Sequence, residues 1–252
     1  MNLLAHEIRY DLLAIARNPR ARVMTLAFPL ILLVILVGIS TGQTTVDGDA
    51  VGLKRFLVGG IATMSLMGAA YGSVVATVVT QRENGVYKRR RATPVSALVV
   101  VLGQAVATVT VALSTTAVLL VVAQALYGVG APAAGLGLIA FAVVIGSLVF
   151  SCLAYAMASV VPNVDAAQPA IQLTMLPLYF LSGIWFSIDA LPDVVRGFAR
   201  ALPVEPLADL VHRGMQHPSL NLRDLAVLAA WAVVGAAIAA RRFSWLPKEV
   251  AA

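Results

Sequence analysis

The stretch FLVGGIATMSLMGAAYGSVVATVVTQRENGVYKRRRATP, residues 56–94, decides what surrounds this chain. Its first part, to about residue 80, carries no charge. A helix needs about 20 apolar residues to cross the hydrocarbon of a bilayer, so this part reads as a spanning helix. The remainder is a polar island in which Lys88, Arg89, Arg90 and Arg91 follow one another. A basic run directly after an apolar span marks a cytoplasmic connection.

The same alternation of long apolar blocks and short charged islands continues in both directions. Of the 252 residues, 60% are hydrophobic and only 12% charged, and the mean hydropathy is +0.89. A soluble domain has about 25% charged residues, so a chain this apolar could not cover its surface in water. The reading is an all-α membrane protein with six transmembrane helices at about 23–40, 56–80, 96–127, 136–161, 168–186 and 224–240. An amphipathic helix over 1–20, with Leu4, Ile8, Leu12 and Ile15 on one face, lies in the interface before them and is retained. The whole forms one transmembrane domain.

Six spans place both termini on one side. That side holds Arg9, Arg17, Arg20, Arg22, Arg82, Lys88, Arg89, Arg90, Arg91, Arg241, Arg242 and Lys248, which is 12 of the 18 basic residues. The bias makes the termini cytoplasmic in a multi-pass protein of the cell membrane. The net charge of +6 comes from residues that flank apolar blocks, and no nucleic-acid recognition module is readable.

Chemistry of its own is hard to find. No G-x-x-x-x-G-K-[ST] phosphate loop and no H-E-x-x-H motif occurs, and His6, His212 and His217 stand apart from one another. The single Cys152 reads as a small buried residue. Ion-coupled carriers keep ionisable groups at membrane depth, and none lies near the centre of a proposed span. Energy is therefore expected from another subunit. The alternatives are an ATPase-independent carrier or channel, a membrane enzyme, or a scaffold that transports nothing.

Arg82-Glu83-x-Gly85 with its basic continuation, Thr93-Pro94-Val95-Ser96, the later Leu181-Ser182-Gly183-Ile184-Trp185-Phe186 and Ala190-Leu191-Pro192 resemble the permeases of type-2 ABC transporters. The order of elements resembles theirs too, over nearly the whole chain. Within that family the likeness is to drug- and antibiotic-resistance exporters of the daunorubicin-permease kind. Lipid and polysaccharide-precursor exporters share the architecture. The resemblance implies a transport subunit without enzymatic activity that pairs with a second permease, identical or homologous, and with two copies of a cytoplasmic ATPase. ATP and magnesium would sit on the ATPase, and this chain would carry no cofactor or metal. Arg82, Glu83, Gly85 and Lys88 to Arg91 would form the coupling segment. The region after the fifth span would hold external helices.

Several positions inside the spans invite roles. Gly68 and Gly72 form a G-x-x-x-G, a spacing that lets helices pack closely within the chain or at a dimer seam. Met64, Met67 and Tyr71 lie nearby. Gln168, Gln172, Met175 and Tyr179 share one face of the fifth span, and Pro177 is expected to bend it. Amides and phenols are costly against lipid, so this face should meet protein or a water-filled path. The resemblance implies that Met64, Met67, Tyr71, Gln172, Met175 and Tyr179 line a substrate pathway. Ser147, Ser151, Tyr155 and Ser159 form a stripe read as interhelical hydrogen bonding. Between 192 and 216 two short helical patterns are expected, broken by Pro203 and Pro206.

Overall fold

The computed structural model describes residues 19–40, 50–91, 97–185, 188 and 191–242. The expected interfacial helix falls almost wholly outside them, as do Thr93, Pro94, Val95 and Ser96. Every described element is helical. In lipid the backbone finds no water to satisfy its polar groups, so a spanning segment closes its hydrogen bonds on itself. The elements are α1 (Pro19–Ser40), α2 (Ala50–Met67), a π-helical turn (Gly68–Gly72), α3 (Ser73–Glu83), α4 (Val86–Arg91), α5 (Ala97–Tyr127), α6 (Ala133–Val160), α7 (Val164–Phe180), α8 (Asp193–Ala199), α9 (Val204–Met215) and α10 (Leu222–Arg242).

Among the described residues four helical stretches are long and apolar enough to cross a membrane: Val51–Glu83, Val101–Tyr127, Ala133–Val160 and Leu222–Arg242. Leu26–Ser40 within α1 is apolar but shorter, and α7 has 17 residues. The molecule is an all-α membrane protein. Helix α7 starts at Val164, ahead of the expected 168. Asn163 sits in extended backbone and its Oδ1 accepts the Ala166 N–H at 2.9 Å, which caps the helix there.

Helix α6 is the hub, packed against α2, the π turn, α3, α5, α9 and α10. Small residues permit this. A Cβ on Gly235 of α10 would stand 3.0 Å from the α6 backbone at Cys152 and Leu153, and one on Gly146 would meet Leu207 of α9 at 2.6 Å. Apolar side chains gain little by leaving lipid for one another, so close backbone approach carries the association.

Two members of the stripe on α6 make no interhelical hydrogen bond. Ser159 Oγ donates to Ala156 O of its own helix at 2.6 Å, and the buried hydroxyls of Ser147 and Ser151 have no hydrogen-bond partner. Small size at a crowded face accounts for serine there better than polarity does.

Helix α9 continues through Pro206. That proline lies in the first turn, where a missing N–H loses no intrahelical bond, so the expected break does not occur. Val204, Leu207, Ala208, Leu210, Val211 and Met215 are all buried, on a helix packed against α2 and α6. Gly135, at the start of α6, touches the backbone of Gly214, so α9 lies at the end of the bundle where α6 begins. Arg82 touches the other end of α6, so α3 and α4 meet at the opposite pole.

Candidate transport cleft and coupling segment

Helices α2 and α3 form one continuous rod, joined by the π turn Gly68-Ala69-Ala70-Tyr71-Gly72. A π turn admits one extra residue per turn, re-aims the side chains around it and recurs at functional sites. Here Gly68, Ala69 and Gly72 of the turn face a cleft. The rod, α1 and α7 enclose this open cleft of about 700 Å³. From α1 come Phe28, Pro29 and Leu32; from the rod Met64, Ser65, Gly68, Gly72 and Ser73; from α7 Gln168, Gln172, Met175 and Tyr179; Trp185 stands beyond the end of α7. No charged side chain is among the described lining residues.

The expected pathway residues divide. Met64, Gln172, Met175 and Tyr179 line the cleft, as do both glycines. Met67 does not: it is fully buried, three residues on from Met64 and turned into the core. Tyr71 is also buried, with its hydroxyl 3.0 Å from Thr174 Oγ1. Thr174 places its own proton on Ala170 O at 2.8 Å, so Tyr71 is the donor and ties the π turn to α7. Tyr179 reaches Met175 Sδ at 3.7 Å. Gly72 packs within the chain, where a Cβ would touch Met175 Sδ at 3.5 Å. Gly68 does not, since a Cβ there meets nothing within 4 Å. The sequence reading missed the α1 wall and the rod's serines. Helix α1 is apolar all round, so no periodicity singles out the face that meets the cleft.

At the other pole α3 ends in Glu83 and Asn84, and Gly85 turns the chain at φ 66°. A side chain in this left-handed region costs about 1–2 kcal/mol, which glycine avoids. Its carbonyl then accepts the Arg89 N–H at 3.1 Å inside α4. Tyr87 is buried and anchors α4, while Lys88 and Arg89 are exposed. The side chains of Arg90 and Arg91 lie outside the described residues.

Arg82 behaves unlike the other cations of the run. It is 1% exposed, and its guanidinium donates to Ala158 O (2.8 Å), Val161 O (2.6 Å) and Pro162 O (2.8 Å). Glu83 Oε2 accepts the Val164 N–H at 2.8 Å.

Titratable groups gather on α9, which is too short to span. Arg213 Nε donates to Asp209 Oδ2 at 2.5 Å, Asp224 is buried beside Asp209, and Glu205 Oε2 is buried without a partner. Burial raises the Glu205 carboxyl above its ordinary value. His212 stacks on Phe56 with ring centroids 4.3 Å apart, and desolvation pushes its pKa down to about 4. The unfolded chain therefore protonates at His212 first. Its stabilising share is complete above the ordinary pKa of about 6.5 and is lost as pH falls toward 4, by about 3 kcal/mol at most. Glu205 acts with the opposite sign, losing its share as pH rises. Thermal melts between pH 7 and 4 of Glu205→Gln proteins with and without His212→Phe should diverge, the protein that keeps His212 losing more stability as the pH falls. Equal slopes in the two proteins would refute the assignment. Among the described residues no group of His, Cys, Asp and Glu is placed to hold a metal.

The helical hub and the open, largely apolar cleft fit a transport permease. Residues 4–215 match the ABC-2 type transporter family, and the chain belongs to it. It is accordingly the permease component of an ABC transporter. No curated protein matches the chain.

Proposed function

We propose that this permease exports a hydrophobic or amphipathic compound, such as a drug, antibiotic or natural product, through a cleft completed by a second permease. The observation that carries the reading is the lining of the 700 Å³ cleft: methionines, aromatics and aliphatics around a few uncharged polar groups. Such a lining accepts apolar bulk with few hydrogen bonds, and methionine adapts its shape to varied ligands. Two cytoplasmic ATPase subunits supply the energy and dock at Lys88 and Arg89 on α4. The pole that carries α4, with both termini, faces the cytoplasm. The protein resides in the cell membrane, with α8 and α9 on the external side.

The test is ATP-dependent uptake of ethidium and of an anthracycline into inverted vesicles that hold the chain with its cognate ATPase. Uptake is expected, with Gln172→Leu shifting the apparent KM by about fivefold, the worth of one hydrogen bond. Vesicles that flip a fluorescent lipid but take up neither compound would sink the reading in favour of lipid export.

A further inference from the structure

We propose that Arg82 and Glu83 act as a clamp that makes the α6–α7 connection, and with it the α7 wall of the cleft, move together with the coupling helix α4. The inference rests on the coupling reading above and names residues that would carry the stroke beyond the docking surface. Arg82 and Glu83 are consecutive, yet they hold the ends of two different helices. The last carbonyls of a helix lack intrahelical partners and carry the negative end of its dipole; the first N–H groups are the positive counterpart. Arg82 supplies three donated bonds to the tail of α6, at Ala158, Val161 and Pro162. Glu83 supplies an anionic acceptor at the head of α7, on Val164. Each charge thus meets the helix end of opposite sign, and the pair straddles the bend between α6 and α7.

The surroundings leave α7 freer to move than α6. Helix α6 is held by packing along its length, whereas α7 packs mainly on α3. Gln168, Leu173, Leu176 and Phe180 of α7 are exposed, with Leu173 at 78%. Prolines 169 and 177 interrupt its ladder of backbone bonds. A force applied at α4 reaches α7 at two points: Glu83 at its first residue, and the Tyr71–Thr174 bond twelve residues back along the rod. Arginine suits this place because its planar fork reaches several carbonyls at once. Lysine presents a single point charge and cannot span the three. Arg82 and Glu83 are positioning residues; neither lines the cleft.

The test uses the complex of this chain with its cognate ATPase in lipid nanodiscs. Nitroxide labels go on exposed sites of α7 (Leu173→Cys) and α5 (Val121→Cys) in a Cys152→Ala background. The distance between them is read by pulsed electron resonance, without nucleotide and after trapping with ATP and vanadate. The parent is expected to show a nucleotide-dependent shift. Arg82→Lys is expected to lose more than half of it while still co-purifying with the ATPase and hydrolysing ATP. Should Arg82→Lys fail to insert, Glu83→Ala, at an exposed site, provides the same reading. Glu83→Gln, which keeps an acceptor oxygen, should restore most of the shift. A full-sized shift in Arg82→Lys or in Glu83→Ala overturns the clamp and leaves the docking reading standing. No shift in the parent overturns the coupling reading and the clamp together.

Discussion

Gly135→Leu is expected to lower the melting temperature of the solubilised protein by about 10 °C or to abolish its recovery. The space a Cβ needs at Gly135 is held by the carbonyl of Gly214, with the carbonyl carbon 3.0 Å away and the oxygen nearer still. A side chain in the way can rotate; a backbone carbonyl in the last turn of a packed helix moves only with that helix. Helix α9 would have to lift off the start of α6, taking Leu207 from its seat over Gly146 and His212 from Phe56. Overpacking typically costs 1–3 kcal/mol, and more where backbone must move. A loss of about 4 kcal/mol in a chain of this size corresponds to about 10 °C. The control is Gly137→Leu, two residues on in the same helix, where a Cβ meets nothing within 4 Å. Differential scanning fluorimetry separates the two. Equal melting temperatures for both variants and the parent would show that α9 does not sit where Gly135 and Gly214 place it.

What the sequence revealed and what it hid follow from how each property is encoded. Burial in lipid is written one-dimensionally: a long uncharged run such as residues 56–80 can be little else, and the basic run after it closes the span. The helical class was legible for that reason. Which face of a helix meets the cleft is another matter. In a soluble protein the polar face gives the direction away, but α1 is apolar on every side, so Phe28, Pro29 and Leu32 carry no mark. The π turn was hidden too. Its only trace is the small-residue pair Gly68 and Gly72, a spacing that serves ordinary packing equally well. Arg82 shows the limit most plainly. Read along the chain it belongs to the same charged run as Lys88 and Arg89, yet it is buried and they are exposed. The difference lies in the end of α6, some seventy-six residues later in the chain, whose unpartnered carbonyls arrive beside it. No local pattern encodes that meeting.

Gly68→Leu is the counterpart of Gly135→Leu and should have the opposite signature: stability kept, transport lost. Both replace a helical glycine in a membrane bundle, and both positions look alike in the sequence. At Gly68 a Cβ points into the cleft with nothing within 4 Å, so no part of this chain need move. The new side chain would project from the π turn between Met64 and Met175, both on the cleft wall. It would narrow the passage one turn before Gly72, which faces Met175 of α7. The melting temperature is expected to stay within about 3 °C of the parent, since ordinary surface substitutions cost under about 0.5 kcal/mol. ATP-dependent dye uptake should fall at least about tenfold, the effect of about 1.4 kcal/mol on the path. Gly68→Ala, which adds one methyl group, should retain most of the uptake. Size-exclusion chromatography with light scattering reads a third quantity, the pairing of permeases. Full uptake by Gly68→Leu would remove the π-turn face from the pathway. Loss of pairing together with uptake would assign Gly68 to the seam between two permeases instead of the lumen they share.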